Sequence, residues 1–174
     1  MIGAGLLVVR QIRRGPPLSP LRARIISIAQ GQVGYRTDPS DTYCNKFSAY
    51  WYAGVDDCGN DNLDEEWCAD FAAWVWKQAG ADVAYQLAPG DLNGDSASFY
   101  VWGTDHGTWH AVGSGYTPQP GDVAVYGLDA SAVTAVHVAI VTAAPACFQT
   151  QAAKSAHHSS SRLSLPQSST PAYQ

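Results

Sequence analysis

Residues 65–80, EEWCADFAAWVWKQAG, constrain this chain more than any other stretch. At helical spacing Phe71, Val75 and Ala79 fall on one stripe, with Ala72 and Trp76 beside it, so the segment needs a layer to pack against. Gly80 supplies a stop, and Asp64, Glu65 and Glu66 load the start with carboxylates that suit the positive end of a helix. Cys68 therefore falls in or near the first turn. Unpaired backbone N–H groups and the helix dipole favour a thiolate there, and a thiolate is a nucleophile. The plainer reading is a cysteine serving as a small core hydrophobe.

A histidine nearly seventy positions downstream shifts that balance. VHVAIV, residues 136–141, alternates as a strand, with Val136, Val138 and Ile140 facing one way and His137, Ala139 and Val141 the other. PGDVAVYG, residues 120–127, opens on a turn and continues with β-branched and aromatic residues. The connection between them, 127–135, has hairpin length. A lone histidine on an apolar strand usually has a structural role. Beside a helix-start cysteine it becomes one half of a thiolate–imidazole pair, accepting the thiol proton and returning it to a leaving amine. Separation along the chain does not place the two in contact.

The rest of the chain sorts by composition. Residues 1–18 form a Pro- and Arg-rich lead. Ser19 and Pro20 then suit an N-cap and first helical position, and Leu21, Ile25, Ile28, Ala29 and Gln32 recur at helical spacing up to Gly34. Residues 35–62 are turn-rich and predict loop with short irregular turns. Residues 81–121 are crowded with Gly, Asp and Ser around the aromatic patch SFYVWG, which predicts a functional loop or a helix-plus-loop insertion. The folded domain is expected over 19–148. From 149 to 174 the chain is Ser-rich, has no Asp or Glu, and reads as a disordered tail.

At 174 residues the chain is about one domain and can bury a sizeable core. Its six Trp and nine Tyr suit either an interior or the lining of a groove. The net charge of −5 conceals an asymmetry. All fifteen acidic residues lie between Asp38 and Asp129, where the only Lys or Arg are Lys46 and Lys77, while five arginines crowd the first 24 residues. So acidic a domain argues against nucleic acid as partner. The basic lead reads as a solvated tail, or as an arm that touches an anionic membrane or wall polymer. Residues 2–9 are apolar but too few to span a bilayer, and the positive charges follow them, whereas a secretory signal places charge in front. No export signal is complete. The lead is expected to be the remnant of a longer signal or membrane segment, with the protein extracellular or wall-associated.

WCADFAAWVWKQAG, then PQPGDVAVYG, then HVAIV resembles the CHAP family of cysteine- and histidine-dependent amidohydrolases and peptidases of bacterial cell-wall turnover. The upstream AQGQVGY and the FYVWG to GTWH region are similar to its actinobacterial members. The resemblance covers roughly residues 25–142. It implies a papain-like α+β fold, with N-terminal helices packed on a small antiparallel sheet, Cys68 as nucleophile and His137 as general base and acid. It also implies a third polar residue, usually Glu, Asn or Asp, on the strand after the histidine, where residues 144–151 stand. No Glu, Asp or Asn follows Asp129. Gln149 and Gln151 are the chemical substitutes. A truncated or frame-shifted C-terminus accounts better for both the missing residue and the break in composition. The backbone N–H of Cys68 would serve an oxyanion hole, and Trp67 beside it would wall the groove or simply pack.

In an exported domain the spacing of Cys44 and Cys58 suits a disulfide pinning an aromatic, polar loop. The rival is two free thiols. Asp56, Asp57, Asp61, Asp64, Glu65 and Asp70 form an acidic cluster, and some CHAP domains bind calcium through acidic residues placed like Asp61 and Asp70. The remaining ligands do not line up, so a solvated acidic loop is the better reading and no cofactor is expected. His106 and His110 stand four apart, but Gly107 and Gly113 make a poor helix for a zinc pair. The expected function is hydrolysis of peptidoglycan amide bonds, as an N-acetylmuramoyl-L-alanine amidase or an endopeptidase. The alternative is a non-catalytic wall-binding module with an incomplete triad.

Overall fold

The computed structural model describes residues 17–37, 42–56, 58–143, 150–151 and 172–173. Its elements are α1 (Pro20–Gln30), β1 (Cys44–Asn45), α2 (Lys46–Trp51), β2 (Leu63–Asp64), α3 (Cys68–Ala79), α4 (Ser98–Asp105), β3 (Val123–Tyr126), β4 (His137–Val141), β5 (Thr150–Gln151) and β6 (Ala172–Tyr173). The architecture is mixed α+β, with both small sheets antiparallel.

Helix α3 is the central element. Phe71, Ala72, Val75, Trp76 and Ala79 are buried on it, as the periodicity predicts. Gly80 ends the helix at φ +88°, a left-handed conformation that glycine adopts without a side-chain clash. The Arg24 guanidinium on α1 donates to the Ala79 carbonyl at 2.7 Å, placing a cation at the negative end of α3. Strands β3 and β4 pair in the register Val123 with Ile140 through Tyr126 with His137. Val123, Val125, Val138 and Ile140 join Phe71, Val75, Trp76 and Phe99 in one core. Fully burying each of these larger side chains stabilises the fold by roughly 1.5–3 kcal/mol.

Two polar ties hold this core together. The Trp76 indole donates to the Gly121 carbonyl at 3.2 Å, fixing α3 to the turn ahead of β3. On the same turn Asp122, buried, accepts from Arg22 of α1 at 2.7 Å and from the Tyr116 hydroxyl at 2.7 Å. Burial, followed by the Asp122 carboxylate, pushes the Tyr116 phenol up to about 12.

Several boundaries differ from the sequence reading. Ser19 caps α1 as expected, accepting from the Arg22 N–H, but the helix stops at Gln30 and a turn carries the chain to Gly34. Residues 35–62, read as loop, contain β1 and α2. The reason is local: Asn45 ends β1 and its side chain accepts from Phe47 N and Ser48 N, which starts a helix on the next residue. The aromatic patch SFYVWG is α4. Val136 is 81% exposed, so β4 begins at His137 rather than one residue earlier. Four residues of the stretch read as a disordered tail lie in the larger sheet, whose order is β5-β4-β3-β6; the remainder of 149–174 and residues 1–16 lie outside the described residues.

Cys44 and Cys58 form a disulfide across a separation of 14, closing a ring that contains α2 and the loop after it. Replacing both with alanine should lower stability by about 3 kcal/mol, the loop-closure value for this length. Urea unfolding of the variant beside the oxidised protein measures it, and an unchanged midpoint would contradict it.

Candidate active site

Cys68 is the first residue of α3, half-buried, with Trp67 at the N-cap position and no side-chain cap. The first main-chain bond of the helix runs from Phe71 N to the Trp67 carbonyl. The N–H groups at positions 68–70 therefore have no intrahelical acceptor and point out of the helix start beside the thiol. The Cys68 Sγ lies 3.2 Å from the Ser96 hydroxyl.

Asp70, two residues on in the same first turn, is fully buried. Its Oδ2 accepts from the Ser48 hydroxyl at 2.5 Å and its Oδ1 from the Tyr85 hydroxyl, while its carbonyl accepts from the Trp51 indole at 3.0 Å. Asn45 extends the network, its amide donating to Ser48 Oγ at 2.9 Å and to the Leu63 carbonyl at 3.2 Å. Burial pushes the Asp70 carboxyl above its ordinary value, against the lowering effect of the two hydroxyls. The Tyr85 phenol is likewise raised, by burial first and then by Asp70, and stays protonated as a donor. Glu65 is pushed up to about 6, again by burial first and then by Asp70.

His137 opens β4 and is cross-strand partner to Tyr126, with ring centroids 6.1 Å apart. Burial lowers the imidazole below its ordinary value, favouring the neutral form that can accept a proton. The strand it opens packs on α3 through Val138 and Ile140. Strand alternation sets His137 on the face opposite to those two residues. Among the described residues the imidazole makes no hydrogen bond, and Cys68 bonds to Ser96 rather than to it. The structure thus brings together the elements that bear the predicted pair, but not their side chains in a direct bond.

Other expectations divide. Trp67 is 2% exposed and packs between Tyr35, Phe47 and Phe71, so it belongs to the core and cannot wall an open groove. Asp61 is exposed, while Asp70 is enclosed with both oxygens accepting hydroxyls. That arrangement does not fit a calcium ligand set, in which several oxygens turn toward one point. His106 stacks on Trp102 and His110 on Tyr116, each histidine with its own aromatic partner. Gln149 lies outside the described residues. Gln151 is in β5, paired with Ile140 in backbone register.

Sequence reasoning missed Ser96, Ser48, Asn45 and Tyr85. Only Asn45 carried a usable signal, an Asn placed ahead of a short aromatic helix. Ser96 sits in a Ser- and Asp-rich loop whose composition gives no reason to favour one hydroxyl over another.

A family model described as CHAP domain matches residues 59–150, a span that contains α3, α4, β3 and β4 with both Cys68 and His137. The chain belongs to the CHAP family. That family generally comprises cysteine peptidases and amidases, many acting on peptidoglycan. No curated protein and no solved structure matches this chain.

The raised Glu65 carboxyl has a consequence for stability. A folded-state value of about 6 against an ordinary 4.5 means the folded protein holds this proton more tightly than the unfolded chain. Stability from this group is greatest below about 4.5 and declines as pH rises toward 6. Glu65→Gln should flatten that decline, read as urea midpoints from pH 4 to 7. A variant that keeps the wild-type slope would refute the assignment.

Proposed function

We propose that this CHAP domain is a papain-like cysteine hydrolase that cuts amide bonds in peptidoglycan, as an amidase or an endopeptidase. Cys68 is the nucleophile and His137 the general base and acid. The observation that carries the reading is the pairing of elements: a cysteine opening the central helix, packed on an antiparallel strand that a desolvated histidine opens. A helix start supplies a thiolate with backbone donors, and a neutral imidazole supplies the base.

In this scheme His137 takes the thiol proton as Cys68 Sγ attacks the amide carbonyl carbon. The negative charge on the carbonyl oxygen meets the N–H of Cys68 at the helix start. The C–N bond breaks, the amine leaves with the proton from His137, and a thioester remains. Water, deprotonated by His137, attacks the thioester. The S–C bond breaks, the acid is released, and the thiol recovers its proton.

The wall polymer as substrate places the protein outside the cell or at the wall, with residues 19–148 as the working domain. A second reading, a wall-binding module without catalysis, is favoured by one observation: the Cys68 thiol is engaged by Ser96, and the imidazole makes no hydrogen bond among the described residues.

Clearing of purified cell walls separates the two. The wild type should clear them, and Cys68→Ala and His137→Ala should each lose roughly a thousand-fold or more in rate. Equal clearing by wild type and Cys68→Ala would end the thiol mechanism. Sedimentation with the walls without clearing by any of the three would establish the binding module instead.

A further inference from the structure

We infer that Ser96 is a further functional residue of this site, its hydroxyl donating a hydrogen bond to the Cys68 thiolate. The inference rests on the reading of Cys68 as nucleophile. The Oγ to Sγ distance is 3.2 Å, and Ser96 is 5% exposed, so water has little access to compete for the contact. Among the described residues the sulfur is the hydroxyl's hydrogen-bond partner. In the thiol state either atom can donate. Once the thiol has lost its proton the sulfur can only accept, so the direction is fixed and the bond becomes charge-assisted.

The loop is built to hold that hydroxyl in place. Leu92 is fully buried and anchors one end, with its N–H donating to the Ala84 carbonyl and its carbonyl accepting from Gln86 N. Asn93 Oδ1 accepts from Asp95 N, and Asp95 Oδ1 accepts from Ala97 N, each at 2.8 Å, so two successive side-chain turns bracket Ser96. Ser98 Oγ closes the segment onto Asn93 N at 3.2 Å. Gly94 lets the loop approach the start of α3: a Cβ there would lie 2.1 Å from Glu65 Oε1. The residues flanking Ser96 thus fix the loop against the same helix end that carries Cys68. A buried serine that merely satisfies its own hydroxyl would look similar in a static structure, and reactivity separates the two.

The test is alkylation of the full chain by iodoacetamide from pH 6 to pH 10, followed at the Cys68 peptide by mass spectrometry; the S–C bond forms and iodide leaves. A charge-assisted bond supplies about a ten-fold stabilisation of the thiolate. Part of that gain is offset, because a stabilised thiolate is intrinsically less nucleophilic, by about three-fold for a ten-fold effect. Ser96→Ala should therefore react about three-fold more slowly than wild type at pH 7 and below, and about three-fold faster near pH 10, the two curves crossing. Ser96→Thr should follow the wild type. Curves that superimpose, or that differ by one constant factor at every pH, would overturn the inference, since a purely structural loss gives no crossing. If Ser96→Ala does not fold, Ser96→Thr and Ser96→Val make the same comparison at nearly constant shape. Wall clearing by Cys68→Ala judges the nucleophile reading separately. A crossing alkylation profile with unimpaired clearing by Cys68→Ala would retain the hydrogen bond and remove the thiol mechanism.

Discussion

A carboxyl group with no access to water has to find its stabilisation inside the protein, and Asp70 is such a group. Two hydroxyls, from Ser48 on α2 and from Tyr85 ahead of the 86–97 loop, supply it. The balance is visible in the direction of its titration. Burial raises the carboxyl, and the two hydroxyls recover only part of the cost. Because the partners come from different parts of the chain, this one acceptor ties α2, α3 and the loop to each other at the end of α3 where the thiol sits. An apolar residue in its place would leave two buried hydroxyls unsatisfied, each worth roughly 1–3 kcal/mol.

Around that acceptor the aromatic residues serve the interior far more than a surface. Phe47 touches Tyr35, Trp67, Phe71 and Trp74 through ring contacts with centroids between 4.9 and 5.1 Å. Trp51 lies flat on Tyr85 at 4.3 Å while its indole N–H reaches the main-chain carbonyl of Asp70, so one side chain packs on a donor to the carboxylate and bonds to the backbone that carries it. Trp76 and Trp102 pack at 5.4 Å where α3 meets α4. Composition left open whether the tryptophans fill a core or line a groove. For Trp67 and Trp76 the answer is the core.

The parts legible in the sequence are those where periodicity and end signals agree. The stripe on α3, its Gly80 stop, the Ser19 and Pro20 start of α1, and the pairing of β3 with β4 are all local or nearly local patterns, and local patterns survive folding when the core reinforces them. Helix α2 was missed because six residues show no periodicity; a single Asn side chain starts it, and packing on α3 keeps it. The Asp70 network was missed for a different reason. Its members are 15 and 22 positions apart, and nothing in a Ser, a Tyr and an Asp so separated announces that they share one buried point. For Trp67 the sequence left a groove wall and plain packing equally open, because the residue before a helix can turn inward as readily as outward, and the structure turns it inward.

Both groups of the proposed reaction stand at the ends of rigid elements. Cys68 is the first residue of α3, and His137 forms the last pair of the β3–β4 ladder, beyond which Val136 is exposed. Interior positions of either element would not serve. Inside α3 the backbone donors are spent on the helix itself, and a cysteine there is a packing residue. Inside β4 the side chains at 138–141 are buried, and an imidazole among them would be locked by its neighbours. At the ladder's end burial lowers the histidine below its ordinary value, favouring the neutral form, and the neighbouring Val136 on the hairpin side is exposed. In the structure the thiol contacts Ser96, and among the described residues no hydrogen bond links it to the imidazole. Val138 and Ile140 hold β4 against α3 while strand alternation turns His137 to the other face, so a pair with Cys68 requires the imidazole to reach round the end of its strand.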